Sequence, residues 1–215
     1  MADTSANGNK PKSLKERMSC GSSDCANGLH CFRKSRKKIA PLLEPLLNGA
    51  CQVCSEQGLV EWARVQNRNL EDIDYTVQSL KKECVRHCYW CLIEISEGVV
   101  NRTRRRGRPR MRERTEKVIR ESVGAAQNFR EGWQTPWESD EVVHYAQHAT
   151  ASCCRKCIEY WHSIEAGRDL TNEEIQYLTD LVMHYVEEKI PMTEEGEEIP
   201  HRRTRGKSDQ SAAQG

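Results

Sequence analysis

A mainly helical fold made of small, metal-stabilised, cysteine-rich domains with little sheet is what this sequence predicts. Three observations lead there. Core material is scarce, since 37% of residues are hydrophobic, two are phenylalanine and 30% are charged. Eleven cysteines fall in clusters, and small cores commonly rely on metals or disulfides for the stability that burial does not supply. Apolar residues between 70 and 95, and again between 175 and 186, recur every three or four positions, the helical period.

No apolar run approaches the ~20 residues of a membrane span, and the first residues lack the apolar stretch of a signal peptide. A cytoplasmic, membrane-free protein is therefore expected, in a reducing compartment where clustered cysteines bind metal more readily than they form disulfides. A net charge of +1 means that any affinity for nucleic acid must come from local patches.

Residues 1–17, rich in Ser, Asn, Gly, Lys and Pro, read as a disordered tail. A cysteine-rich zinc-binding module is expected over 18–98. It opens with Cys20, Cys25 and Cys31 among turn-forming glycines and serines. Pro41 and Pro45 limit the leucines around them to short helical turns. Cys51-Gln-Val-Cys54 then has the form of a zinc knuckle. Leu70, Ile73, Val77, Leu80, Cys84, Cys88, Cys91 and Ile95 share one face of an expected long helix, so Cys88 and Cys91 are expected to complete a tetrahedral site with Cys51 and Cys54. Cys84 would close the first cluster with Cys20, Cys25 and Cys31, and His87 and Cys84 stand as alternates. Zinc is the expected metal, although an iron–sulfur cluster fits the same cysteine counts.

Gly98 and Asn101 read as the end of that helix, followed by an arginine-rich joint over 99–124. In it Arg106-Gly107-Arg108-Pro109 resembles the core of an AT-hook, a minor-groove peptide. The resemblance implies that Arg106 and Arg108 enter the groove beside Gly107, while Arg104, Arg105 and Arg110 touch phosphates. DNA is accordingly the expected partner. The bland alternative is a charged linker leading into a helix over 111–123.

A Cys/His domain is expected over 125–191, and a second disordered tail over 192–215. Residues 142–149 alternate as a short strand would, carrying His144 and His148. A helix beginning at Cys153 would place Cys154, Cys157, Ile158 and Trp161 on one face, with one of Cys153 and Cys154 spare. His148, Cys154, Cys157 and His162 are then candidate ligands of one metal shielded by Trp161. Thr171 and Glu174 make a capping box opening a helix to about residue 190.

The run Ala146-Gln-His-Ala-Thr150, Cys153-Cys-Arg-x-Cys157, Trp161-His162, Gly167-Arg168, Leu170-Thr171 resembles the signature of a small prokaryotic family of domains of unknown function, over roughly residues 130–190. Glu165-Ala166 stands where that family has a proline in the turn. The resemblance supplies no activity. The residues themselves leave two function classes. One is a zinc-stabilised nucleic-acid-binding protein without catalysis of its own. The other is a metal-dependent enzyme centred on His148, Cys154, Cys157 and His162, with His144 or Glu159 as base; it needs an open coordination position.

Overall fold

A computed structural model describes residues 41–43, 45–46, 49–60, 70–126, 135–136 and 139–200. Cys20, Cys25 and Cys31, and Trp62, Trp133 and Trp137, lie outside the described residues. The described chain is mainly helical, and its strand pairing is limited to isolated bridges, Ala50 with Gln57 and Val60 with Glu83.

The stretch expected as one long helix is broken. Helix α1 (Ile73–Lys82) starts under Asp72, whose carboxylate accepts from the Tyr75 amide. It stops at Glu83, which is extended (φ −82°, ψ 128°). The cause is Val60, lying alongside: its N–H donates to Lys82 O at 2.9 Å and its carbonyl accepts from the Cys84 amide at 3.0 Å. Those bonds replace two that a continuous helix would make. Helix α2 (Cys84–His87) comes next, capped by the Glu83 carboxylate, and runs into a π turn at Cys88–Leu92. The wider turn rotates the chain beyond it, so Val77, Leu80, Cys84 and Cys88 stay buried while Cys91 moves to the edge.

Helix α3 (Glu97–Ile119) contains the arginine-rich stretch and passes into a second π turn, Arg120–Gly124. Gly98 and Asn101, expected to end a helix, lie in its opening turns instead. Its hidden face is Val99, Thr103, Gly107, Met111, Thr115 and Val118–Ile119, at near-regular steps of four that the surrounding arginines obscure. The helix is interrupted once, at Gly107 (φ 70°, ψ 168°), and Pro109 opens the second half, where its missing N–H costs no helical bond.

Residues 192–200, expected within a disordered tail, cross α3 at that interruption. The Arg108 amide donates to Thr193 O, and the Glu197 amide donates to Arg104 O, each at 3.0 Å. A methyl group on Gly107 would stand 2.6 Å from the Glu194 carbonyl oxygen and the Gly196 nitrogen, and one on Gly196 would strike the Arg105 carbonyl. Two backbones touch there, and only glycines permit it.

Residues 142–149, read as a strand, form helix α4 (Val142–Ala149). All of its residues except His144 are buried, so alternation was no guide to its partners. Helix α5 (Arg155–His162) is short and ends at Ser163 in the left-handed conformation. Helix α6 (Asn172–Lys189) begins with the expected capping box of Thr171 and Glu174 and packs on α1, α3 and α4. One apolar core extends from Leu43 and Leu46 to Ile190 and includes Val99, Met111, Val118, Ile119 and Val123 of the expected joint. At ~1.5–3 kcal/mol per fully buried large aliphatic side chain, these residues bind α3 firmly to the rest. A smaller cluster joins Leu80, Ala151, Cys153, Cys154, Cys157 and Trp161.

Candidate metal centres and the arginine face

Cys51 and Cys54 sit in a tight turn. The Cys51 amide donates to Glu56 O and the Ser55 amide to Cys51 O, with Ser55 at φ 62°. Lys82 pairs with Glu56 and also reaches the Gln57 carbonyl, fastening the turn to α1. The turn faces the α2–π segment, and the ligand atoms of Cys51, Cys54, His87 and Cys91 all lie within 4.8 Å of one another. Cys51 Sγ is 3.9 Å from Cys91 Sγ, and Cys54 Sγ is 3.4 Å from His87 Nε2. Zn–S bonds of ~2.3 Å and Zn–N bonds of ~2.0–2.1 Å at tetrahedral angles require about 3.8 and 3.6 Å for these edges. The spacing therefore suits a Cys3His tetrahedron.

The surroundings favour metal as well. His87 Nδ1 donates to Lys81 O at 2.9 Å, which fixes the tautomer and leaves the Nε2 lone pair facing the sulfurs. Burial raises the Cys51 thiol, but the amides of Cys54 and Val53 and the His87 side chain outweigh it and hold the thiol at about 6. Burial and its neighbouring sulfurs push Cys91 up to about 12. One thiolate is thus available near neutrality, and a cation would be needed to draw the proton from Cys91.

Of the four residues expected in this centre, the structure brings together Cys51, Cys54 and Cys91, with His87 in the place given to Cys88. Cys88 is fully buried in the main core, and burial pushes its thiol well above the usual range. The reason is the π turn. His87 and Cys91 are four apart on one side of it, whereas Cys88 faces the other way. Cys84 points its thiol at the Leu46 carbonyl, 3.7 Å away. The spacing His87-x3-Cys91 was a readable signal, since residues four apart share a helix face.

The second cluster also differs from the expected one. Helix α5 begins only at Arg155, and Cys154 is its extended N-cap residue (φ −161°, ψ 163°). Adjacent cysteines outside a helix can turn to the same point, and Cys153, Cys154 and Cys157 do so, mutually within 4.8 Å, with Cys153 and Cys157 sulfurs 3.7 Å apart. Bonds from its two sister thiols hold Cys154 well below the usual range. Burial raises Cys153, while the neighbouring sulfurs raise Cys157.

His148 and His162 are employed elsewhere. His148 Nε2 donates to Thr135 O at 2.7 Å, its ring stacks on Tyr89, and burial depresses it to about 3. His162 Nε2 donates to Thr150 O at 2.9 Å, and its Nδ1 meets the Tyr177 hydroxyl at 3.0 Å. Of the two residues weighed as bases, His144 Nδ1 bonds Ser139 Oγ, and Glu159 accepts from the Ala166 amide. Trp161 packs beside the three cysteines, with the guanidinium of buried Arg86 5.8 Å from its ring.

The tetrapeptide Arg106–Pro109, expected as an extended groove-binding hook, lies inside α3 with its Arg108 amide bonded to Thr193 and Gly107 packed on the backbone of Glu194–Gly196. Arg106 forms a two-pronged pair with Glu141 (3.1 and 3.3 Å), which also accepts from Arg114. Arg108 reaches Glu187 and Glu194. Arg105 instead donates to the carbonyls of Ile199 and Pro200, and among the described residues no carboxylate pairs with it. Together with Arg102, Arg106 and Arg110 it lines a cleft of about 940 Å³, with Asn101, Glu97 and Pro200 on the walls. The main-chain carbonyl of Arg104 accepts from the Glu197 amide.

A family model described as Domain of unknown function (DUF4186) matches residues 74–187, more than half of the chain. The match begins well before the span of about 130–190 that the motif suggested. It includes His87, Cys91 and all three residues of the second cluster, and starts after Cys51 and Cys54. No solved structure matches the chain. Among the described residues, no helix is long and apolar enough to cross a membrane.

Proposed function

The chain belongs to the DUF4186 family of domains of unknown function, and within it we propose a metal-stabilised, nucleic-acid-binding protein whose metal is structural rather than catalytic. The observation that carries the metal role is the convergence of Cys51, Cys54, His87 and Cys91 at tetrahedral spacing. Four protein ligands fill a zinc coordination shell and leave no position for substrate water. Zinc is the cation that this sulfur-rich, single-histidine set suits best. Its role is to bind the turn over 49–60 to the helical domain.

The nucleic-acid reading rests on the arginine face. Arg102, Arg105, Arg106 and Arg110 line one cleft with Glu97 as the carboxylate on its wall, although Arg106 also pairs with Glu141 and Arg102 with Asp140. Pro200 lies on its wall, and the sequence continues His201-Arg-Arg-Thr-Arg-Gly-Lys207. A guanidinium held on carbonyl oxygens, as Arg105 is, keeps its full charge for a phosphate. The mode proposed is phosphate contact, sequence-tolerant and salt-dependent. The groove-inserting hook is not favoured, because Arg108 is bonded to Thr193 and Gly107 is covered by the backbone of residues 194–196.

Fluorescence anisotropy with a labelled duplex over a series of salt concentrations tests this. Affinity should fall steeply with salt, and Arg105→Ala with Arg110→Ala should lower the slope by about one per lost phosphate contact. No preference for A·T-rich duplex is expected. Binding that is insensitive to salt, or unchanged in the double variant, refutes the phosphate reading and leaves the metal centre untouched.

A further inference from the structure

We propose that Cys153, Cys154 and Cys157 form a second metal site, three-coordinate and all-sulfur, that takes a soft thiophilic cation of the copper(I) class rather than zinc. This does not depend on the nucleic-acid reading, and it uses none of the ligands of the Cys3His centre.

Local backbone geometry prepares the site. Cys154 is the N-cap of α5, and Cys157 is the third residue of the helix. The Cys157 amide therefore lies on the Cys154 side of the helix end and helps to hold that thiol down, without a formed cap hydrogen bond. Helix-terminal N–H groups favour anionic sulfur. Cys153, one residue earlier in extended chain, delivers the third sulfur from the other side. Three sulfurs about 4 Å apart surround a point about 2.3 Å from each, a normal metal–thiolate bond length; the 3.7 Å Cys153–Cys157 edge falls close to that.

Coordination number is decided by what else is near. No His, Asp or Glu joins the three cysteines in the group of mutually close ligand atoms among the described residues. The neighbours are Leu80, Ala151 and Trp161, and all three cysteines are buried. His148 directs Nε2 at Thr135 and its Nδ1 does not fall within the group formed by the three sulfurs, and both nitrogens of His162 are engaged. Structural zinc is almost always four-coordinate. A dry trithiolate with no fourth donor among the described residues fits a cation that accepts low coordination and prefers sulfur, as copper(I) does.

The site also has part of a counter-charge, which it shares with buried Glu83. A monovalent cation on three thiolates is a net anion, which needs compensation away from water. Arg86 is fully buried, its guanidinium acts on the Cys153 sulfur, and its Nη2 has no hydrogen-bond partner among the described residues. One Nη1 bond goes to the His148 carbonyl, and Nε lies 3.5 Å from Glu83. On binding, the thiol protons leave to solvent and no electrons move.

Copper(I), supplied as its bicinchoninate complex under anaerobic conditions, provides the probe. Full-length protein carrying Cys54→Ala should still extract one equivalent from the chromophoric chelator. Cys54→Ala with Cys157→Ala should lose that equivalent, with at least a hundredfold weaker uptake. X-ray absorption at the copper edge of the first variant should show three sulfur neighbours. Equal uptake by both variants would make the three cysteines core residues and overturn the proposal, as would zinc with a fourth light-atom neighbour bound at these sulfurs. Because Cys157→Ala alters a buried position, Cys153→Ser is measured alongside, with circular dichroism to establish that each variant is folded. The absorption measurement needs no substitution at the site, so it decides independently.

Discussion

Cys51, Cys54, His87 and Cys91 meet at the edge of the molecule from segments 33 and 40 residues apart, whereas Cys153, Cys154 and Cys157 come from five consecutive residues inside it. The first cluster includes an exposed thiol, Cys54, and a histidine held by a backbone carbonyl. The second is buried throughout and faces a guanidinium. The difference separates what each can do for the fold. A cation at the first site closes a loop between remote segments and so supports tertiary structure. A cation at the second finds its ligands already gathered by one turn and a core, and adds little that packing has not already fixed. The matched family region contains the whole second cluster but only half of the first, so the edge centre joins an N-terminal turn to that region.

The largest effect expected from this contrast comes from removing the metal. Structural zinc in small domains accounts for about 10 kcal/mol or more of apparent folding free energy. Chelation, or His87→Ala, should therefore release the turn over 49–60, with amide exchange there rising by orders of magnitude. Amides of α4 and α6 should keep most of their protection, since the apolar core touches the metal ligands only through Cys51 and Cys91 and the bulk of it lies beyond them. If exchange rises equally at 153–162, the two clusters are coupled and the contrast fails.

This contrast also marks what the sequence could reveal. The helical class, the Thr171–Glu174 capping box and the spacing of α6 were legible because they depend on neighbours three or four residues away. The zinc-knuckle form of Cys51 and Cys54 was legible for the same reason. Its partners were harder. The His87-x3-Cys91 spacing pointed to His87, but choosing it over Cys88 depends on a π turn and on Val60 interrupting the helix at Glu83, and neither of those leaves a local trace. At the second cluster a two-residue difference in where α5 starts decides whether Cys153 or a histidine joins Cys154 and Cys157. The arginines of α3 resembled a DNA-binding peptide because their carboxylate partners, Glu141 and Glu187 among them, lie far away in sequence. Gly107 was read as part of a groove-binding peptide, and its contact with Gly196 could only be seen in three dimensions.

A smaller effect distinguishes the clusters by acid. Burial holds His148 at about 3, against about 6.5 in an unfolded chain. Between those values the unfolded state binds the extra proton, so stability rises with pH through the window. It is fully present above about 6.5 and falls as pH drops toward 3, at up to ~1.4 kcal/mol per pH unit. Metal-free protein followed by chemical denaturation at several pH values should show this slope, and His148→Gln should flatten it. A variant with an unchanged slope would mean that another buried group governs acid unfolding around the second cluster.

The smallest effect is the most discriminating, because it asks which opening event exposes each cluster. Thr171 caps α6 by accepting from the Glu174 amide, and Thr171→Ala should cost about 1 kcal/mol. Helix α6 packs on three other helices, so the loss falls on global stability. Buried thiols react only when the core opens, and with reclosing fast their alkylation follows the open population. A loss of ~1 kcal/mol raises that population about fivefold. In metal-free protein, alkylation of Cys153, Cys154 and Cys157 should therefore speed up about fivefold in Thr171→Ala. Cys54, already exposed, should react at its former rate, because its turn is bonded to α1 and the knuckle rather than to α6. Equal acceleration at Cys54 would show that the edge centre opens only with the core, and the distinction between a detachable turn and a fixed interior would be lost.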